Sequence, residues 1–332
     1  MRSSTSVSSA TPGRRPADAT RAITLLLLGC LLVAGAAEAV ARLALDRVSK
    51  IQRRTALEYE AARSIGGTDP SGRRPLLVVG NSLLDEGVRF DRVHDALNQR
   101  WDARRFVVEQ TYYYDWYFGL RRLFREGSRP EVVAIMLSPL QWFRSDSRGD
   151  YSAQFLMSAV DLPLAAHDLG LHPTQATNLL FARASKFWGA RAEIRNFVLG
   201  RAVPGLGTLM NLSSAVDPHQ LTDEEVEGVA KERLDRLNEI VRAYGAQLLV
   251  LIPPIMKTPD GSVGLARAAA RAGVPALRPV SSGTYGQDMY RDAGFHLNQA
   301  GATAFTDRLI PALQDELRSL PESERRQARG DR

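Results

Sequence analysis

The chain has 332 residues, 44% of them apolar and 24% charged, so core size is not limiting and one large α/β domain or two small ones can form. Its formal net charge of +6 gathers in the N-terminal tail, around residues 42–54 and near the C-terminus, with no aromatic-interleaved basic face, which argues against a nucleic-acid partner. The one cysteine, Cys30, excludes an intrachain disulfide and a thiolate metal site, and the five histidines lack paired ligand spacing, so no metal or cofactor is expected.

Residues 1–20 are rich in Ser, Thr, Pro and Arg without an apolar period and are expected to be a disordered tail. Between Arg21 and Arg42 lie twenty residues with a single charge, Glu38. At about 1.5 Å rise per residue they cover the roughly 30 Å hydrocarbon core of a bilayer. A transmembrane signal anchor over 21–42 is the reading this length favours. A signal peptide cut within Ala34–Ala41, a buried soluble helix and a lipid-modified Cys30 are the alternatives. Arg14, Arg15 and Arg21 precede the run and Arg42, Arg47, Lys50, Arg53 and Arg54 follow it, so charge alone leaves the orientation open. Residues 43–73 read as a juxtamembrane helix and linker, with Gly66-Gly-Thr-Asp-Pro70 near its end.

Five short apolar runs then have the character of buried parallel strands: Leu76–Val79, Phe106–Glu109, Val132–Leu137, Leu248–Ile252 and Ala276–Val280. Helical segments between them, such as Arg89–Gln99 and Tyr117–Glu126, predict a parallel sheet covered on both faces. The gap between the third and fourth runs is too long for one crossover helix. Part of it is a helix that starts at the capping box Thr222-Asp-Glu-Glu225 and runs to about Tyr244. The rest, about 140–220, reads as a mostly helical insertion over the C-terminal edge of the sheet. The last helix spans about Gln299–Arg318, and residues 321–332 read as a disordered tail.

The first strand runs directly into Gly80-Asn-Ser82, a turn that lifts a serine hydroxyl off the end of the sheet. Taken alone the tripeptide is better explained by helix capping. Near the C-terminus, Asp292-Ala-Gly-Phe-His296-Leu-Asn-Gln-Ala-Gly301 brings an acid and a histidine together. His296 is the candidate base for Ser82, and Asp292 the candidate group that orients it, with Asp288 as a rival. Loop packing and solvated acids are the plain alternatives. The Ser82 N–H, Ser138 and Gln141 are the candidates for binding a developing oxyanion. The tyrosines of Gln110-Thr-Tyr-Tyr-Tyr-Asp115, with Trp116, can serve as core or stack on sugar rings.

The Gly80-Asn-Ser82 turn and the Asp292…His296-Leu-Asn…Gly301 element resemble the SGNH (GDSL-type) hydrolase superfamily, over roughly residues 74–318 within an expected domain of 74–320. With an N-terminal anchor, the chain is most similar to the envelope-bound branch that includes alginate-acetylation and D-alanyl-transfer proteins. The resemblance implies a flavodoxin-like three-layer α/β/α sandwich with a five-stranded parallel sheet, a Ser/His/Asp site and acyl-ester chemistry. It also implies a single-pass protein of the inner (cytoplasmic) membrane, with its domain on the extracytoplasmic side and residues 1–20 in the cytoplasm. Asn81 stands where the family usually has Asp. Asp292 is four residues before His296 where three is common, and the family's helper glycine and asparagine have no clear match.

The expected function is a serine acyl-ester hydrolase or O-acyltransferase acting on an exported or cell-envelope glycan, its partners being the acylated substrate and, for transfer, a membrane protein that supplies acyl groups. An inactive glycan-binding or assembly protein and a membrane-tethered lipase or thioesterase are the competing classes.

Overall fold

The computed structural model describes residues 16–66, 72–202 and 221–320. Strands β1 (Arg74–Gly80), β2 (Trp101–Val107), β3 (Val132–Met136), β4 (Gln247–Leu251) and β5 (Ala276–Leu277) form one all-parallel sheet in the order β2-β1-β3-β4-β5. The helices are α1 (Pro16–Val48), α2 (Lys50–Arg63), α3 (Ser82–Gly87), α4 (Phe90–Leu97), α5 (Tyr113–Arg125), α6 (Pro139–Phe143), α7 (Asp150–Phe155), α8 (Leu162–Asp168), α9 (Pro173–Ala184), α10 (Lys186–Gly189), α11 (Arg191–Ala202), α12 (Asp223–Ala243), α13 (Ser262–Arg271) and α14 (Gln299–Ser319).

Alternation along the strands builds two cores, because successive side chains of a strand point to opposite faces. Leu77 and Val79 of β1, Val133 and Ile135 of β3 and Val250 of β4 face a layer that contains α5, α12 and α13. Leu76, Val78, Ala134, Met136 and Leu249 face α4 and α14 instead. Both faces are apolar, so the strands read as nearly continuous hydrophobic runs. The result is the three-layer α/β/α sandwich in flavodoxin-like strand order, with an N-terminal apolar helix. The order reverses between β1 and β3, and a doubly wound sheet opens its crevice at the carboxyl ends of the strands on either side of such a point.

Several elements differ from the sequence expectation for physical reasons. Helix α1 starts at Pro16, inside the stretch expected to be disordered, because proline is well suited to the first helical turn. It runs on past Arg42 to Val48, and its segment Ala19–Leu45 is long and apolar enough to cross a membrane; residues 19–36 are exposed, whereas Ala41 is buried against the rest of the chain. The helix expected within residues 43–73 is α2, and it packs along β2 with its N-cap at Ser49. Glu58 of α2 accepts from Arg105 Nε (2.8 Å) and from the Val107 N–H (2.9 Å), and Arg104 Nη1 donates to the Ala61 carbonyl (3.0 Å). Those contacts neutralise a charged edge strand and cover part of its unpaired edge, which is why β2 extends back to Trp101 despite Asp102, Arg104 and Arg105. Strand β5 stops at Leu277 rather than Val280, since Pro279 has no N–H to donate.

The aromatic run lies on α5. Tyr113, Tyr114 and Trp116 are buried, and Asp115 accepts from the Tyr112 N–H (2.8 Å) to close a capping box. Trp116 packs edge-on against Phe106 at 5.4 Å, so these rings are core and not a sugar platform. The described part of the insertion packs against α5, where Leu156 sits against Gly119 and Arg121 and Arg125 hold the buried Asp161, and it reaches the carboxyl end of β2, where Arg148 donates to the Glu109 carbonyl. Residues 1–15, 67–71, 203–220 and 321–332, including most of the expected N-terminal tail, the expected C-terminal tail and the end of the insertion, lie outside the described residues.

Candidate active site

β1 delivers Ser82. Gly80 is in register with Met136 of β3 and Val107 of β2, and a Cβ on it would lie 2.7 Å from the Met136 carbonyl oxygen, so only glycine lets the chain leave the sheet at this point. Asn81 is the N-cap of α3: its Oδ1 accepts from the Leu83 N–H (3.0 Å), and its Nδ2 donates to the Thr111 carbonyl (2.9 Å). Thr111 is held in turn by Val108 and Trp116, through hydrogen bonds of 2.7 and 2.9 Å. The capping reading of this turn and the nucleophile reading therefore describe different residues. Asn81 makes the cap, which leaves the neighbouring Ser82 hydroxyl unused by the helix.

An aspartate at position 81 could keep the cap but could not donate to Thr111, and its buried carboxylate would face a carbonyl oxygen. Asn81→Asp is therefore expected to cost about 2–3 kcal/mol, seen as a lower urea midpoint at unchanged m value. A change below about 0.5 kcal/mol would sink this account of Asn81.

His296 arrives from the segment between β5 and α14. A short antiparallel ladder sets it: Tyr290 pairs with Leu297, the Arg291 N–H donates to the His296 carbonyl (3.0 Å), and the Asn298 N–H donates to the Met289 carbonyl (2.9 Å). Asn298 then caps α14 by accepting from the Ala300 and Gly301 N–H groups, both at 3.0 Å. The His296 ring lies with Nε2 2.9 Å from Ser82 Oγ and Nδ1 2.5 Å from Asp292 Oδ2. Asp292 Oδ1 accepts from the Phe295 N–H (2.8 Å) and the His296 N–H (3.0 Å). The spacing of four residues closes because Gly294 adopts φ +93°, a conformation that favours glycine. Asp288 does not compete: its backbone carbonyl accepts from Asn298 Nδ2 (2.5 Å), and it makes no described contact with the histidine.

The electrostatics suit a polarised imidazole. Burial pushes the Asp292 carboxyl up, but hydrogen bonds from the His296 N–H, the His296 ring and the Phe295 N–H outweigh it and hold the group below its ordinary value. Glu86, on α3, has its carboxyl raised by burial, with His296 and Arg291 pulling the other way. Arg291 Nε lies 2.9 Å from Glu86 Oε2, so an ion pair ties the histidine segment to the serine helix.

The structure thus brings Ser82, His296 and Asp292 into one chain of hydrogen bonds. It places Ser138 and Gln141 otherwise. They form a capping box for α6, in which the Ser138 N–H donates to Gln141 Oε1 (2.9 Å) and the Gln141 N–H to Ser138 Oγ (3.4 Å). Among the described residues no hydrogen bond joins either to Ser82 or His296. The Ser82 N–H opens α3, so it has no acceptor within that helix.

Asp85, whose sequence position on its own suggests only a solvated helix charge, lies in an ion network that fixes α3. Arg54 of α2 bridges Asp85 and Glu109, and Arg105 lies 3.3 Å from Asp85. No signal in the sequence pairs Arg54 with Asp85, because the contact exists only once α2 is laid along β2.

No family model matches the chain, and no curated protein matches it. Among solved structures it is similar to TesA, with 15% identity over 73% of this chain and 99% of that one and a TM-score of 0.36. A catalytic mutant of Axe2, an acetylxylan esterase from Geobacillus stearothermophilus, gives 11% identity over 75% and 95% of the two chains with a TM-score of 0.37. A GDSL-like lipase from Bacteroides thetaiotaomicron gives 11% over 80% and 97% with a TM-score of 0.39. The case for chemistry in this chain rests on its own side chains.

Proposed function

We propose that the chain is a membrane-anchored, SGNH-type serine acyl-ester hydrolase or O-acyltransferase that works through an acyl-enzyme on an exported or cell-envelope glycan. The observation that supports this is the continuous Ser82–His296–Asp292 hydrogen-bond chain at the carboxyl end of β1. In this reading His296 Nε2 takes the Ser82 proton as Oγ attacks the acyl carbonyl, and the Ser82 N–H donates to the developing oxyanion. Collapse expels the alcohol, which leaves with the proton held by His296. Water or a glycan hydroxyl then attacks the acyl-serine by the same steps in reverse, so hydrolysis and transfer differ only in the acceptor.

In this reading α1, which is long and apolar enough, spans the membrane and the domain lies at its face, where exported or envelope glycans are the natural acceptors, and we assign the domain to the extracytoplasmic side of the inner membrane. Transfer then requires a membrane protein that carries acyl groups across the bilayer.

The test is reaction of the detergent-solubilised full chain with a fluorophosphonate, followed by peptide mapping and by turnover of an acetyl ester. Wild type is expected to be labelled at Ser82, and both Ser82→Ala and His296→Ala to abolish labelling and turnover. A folded wild type that neither labels nor hydrolyses ester would overturn the enzymatic reading in favour of glycan binding or assembly.

A further inference from the structure

Helix α1 does not leave the membrane alone. Glu38, the one charge between Arg21 and Arg42, accepts hydrogen bonds from Ser185 Oγ (2.7 Å) and from the backbone N–H groups of Lys186 and Phe187 (both 3.0 Å). The first turn of α10 is therefore seated on α1 at the level of Glu38. That level is four residues before Arg42, about 6 Å along the helix axis and inside the twenty-residue stretch that matches the hydrocarbon core.

From this depth, and resting on the proposed reading of α1 as a membrane span, we infer that α9, α10 and α11 form a platform immersed in the lipid interface of the leaflet on the domain's side. Lipid acyl chains lie against Leu180, Phe181 and Phe187, which are 52%, 51% and 38% exposed although they fall within eight residues of one another. Single exposed apolar residues are ordinary, but a cluster of three large ones beside a span has lipid to meet there and not water. A further apolar cleft of about 600 Å³ opens between α1 and α10–α11, lined by Ala36, Ala37, Val40, Ala41, Phe187 and Ile194 among others, and takes an acyl chain of the same bilayer. Lys186 and Arg195 on the platform, with Arg47 at the end of α1 and Lys50 at the start of α2, supply the cationic rim that suits lipid phosphates.

The platform is joined firmly to the domain. Glu193 of α11 accepts from Ser49 Oγ (2.5 Å) and Gln52 Nε2 (2.6 Å), and α2 is pinned to the sheet through Glu58. Its immersion thereby fixes how the whole domain sits on the bilayer.

The test uses the full chain in vesicles of phosphatidylcholine and phosphatidylglycerol that carry nitroxide lipids, with an environment-sensitive fluorophore on one cysteine at a time. The native Cys30, which is exposed on α1, reports the span. In a Cys30→Ser background, Leu180→Cys and Phe187→Cys report the platform, and Val263→Cys on α13 is the control. A nitroxide near the headgroup is expected to lower the Leu180→Cys and Phe187→Cys signals at least about twofold and to leave Val263→Cys unchanged, while Cys30 responds best to a nitroxide deep in the chains. If Cys30 is quenched and the two platform positions behave like Val263→Cys, the platform is wrong and the span stands. If Cys30 is not quenched at any depth, the membrane reading fails and the platform falls with it.

Discussion

Asp292→Asn is expected to lower kcat for ester turnover by about 10³–10⁴-fold with KM little changed. Asp292 Oδ2 accepts from His296 Nδ1 at 2.5 Å, which leaves the lone pair of Nε2 facing Ser82 Oγ at 2.9 Å. An amide can turn its NH₂ toward Nδ1 and so stabilise the opposite tautomer, in which Nε2 carries the proton and cannot accept another. The amide oxygen can still accept from the Phe295 and His296 N–H groups, so the segment keeps its shape and the loss reads on chemistry alone. A loss below about tenfold would show that Asp292 does not set the tautomer.

The same substitution carries a pH signature whose sign follows from the depressed carboxyl. Asp292 titrates below its ordinary value in the folded chain, so protons bind the unfolded chain more readily at this group. Its contribution to stability is fully present above the ordinary carboxylate range and is lost as pH falls through the lowered native value. Wild type gives up that contribution in acid, whereas the asparagine variant has none to lose. Thermal melts should therefore show the gap between the two closing as pH drops from 7 toward 2. A gap that widens in acid would contradict the assigned direction.

Arg233→Met is expected to produce the larger loss of stability, about 3 kcal/mol, read as a lower urea midpoint. Arg233 of α12 is buried, donates to the Trp142 carbonyl (2.5 Å), the Arg144 carbonyl (2.8 Å) and Ser145 Oγ (2.7 Å), and lies 5.1 Å from the ring centroids of both Tyr113 and Tyr114. Methionine fills much of the volume but takes the donor from the buried Trp142 carbonyl and the cation from between two aromatic faces. Arg233→Lys should recover only part of the loss, since an ammonium cannot reproduce the fork that reaches three acceptors. Equal stability of wild type and the methionine variant would show that α6 and α12 are held together by their apolar contacts alone.

Local chemistry made the serine turn and the histidine segment legible. A buried run of Pro75–Val79 can only be a strand, Gly80 admits the close approach to β3, and Asn81 and Asn298 are each strong helix caps. Each signal is complete within a dozen residues, so no knowledge of the rest of the chain is required. The long apolar helix α1 is legible for a similar reason, because its length and apolarity are properties of one contiguous stretch.

The remainder was decided by surfaces that meet only after folding. Asp102, Arg104 and Arg105 look unlike a strand until Glu58 and Ala61 of α2 and its C-cap Ser64 lie beside them. Ser138 and Gln141 look like free polar groups at a sheet edge until their reciprocal cap is seen. The Arg54–Asp85 and Arg291–Glu86 pairs join segments remote in sequence. The amino-acid sequence by itself determined the strand order's raw material, the serine turn, the histidine segment and the apolar helix, since periodicity, capping and length act over a few residues. Only the tertiary structure decided that His296 points its Nε2 at Ser82, that α2 belongs to the sheet, and that α10 is seated on Glu38, because those outcomes depend on distances set by the packing of the whole chain.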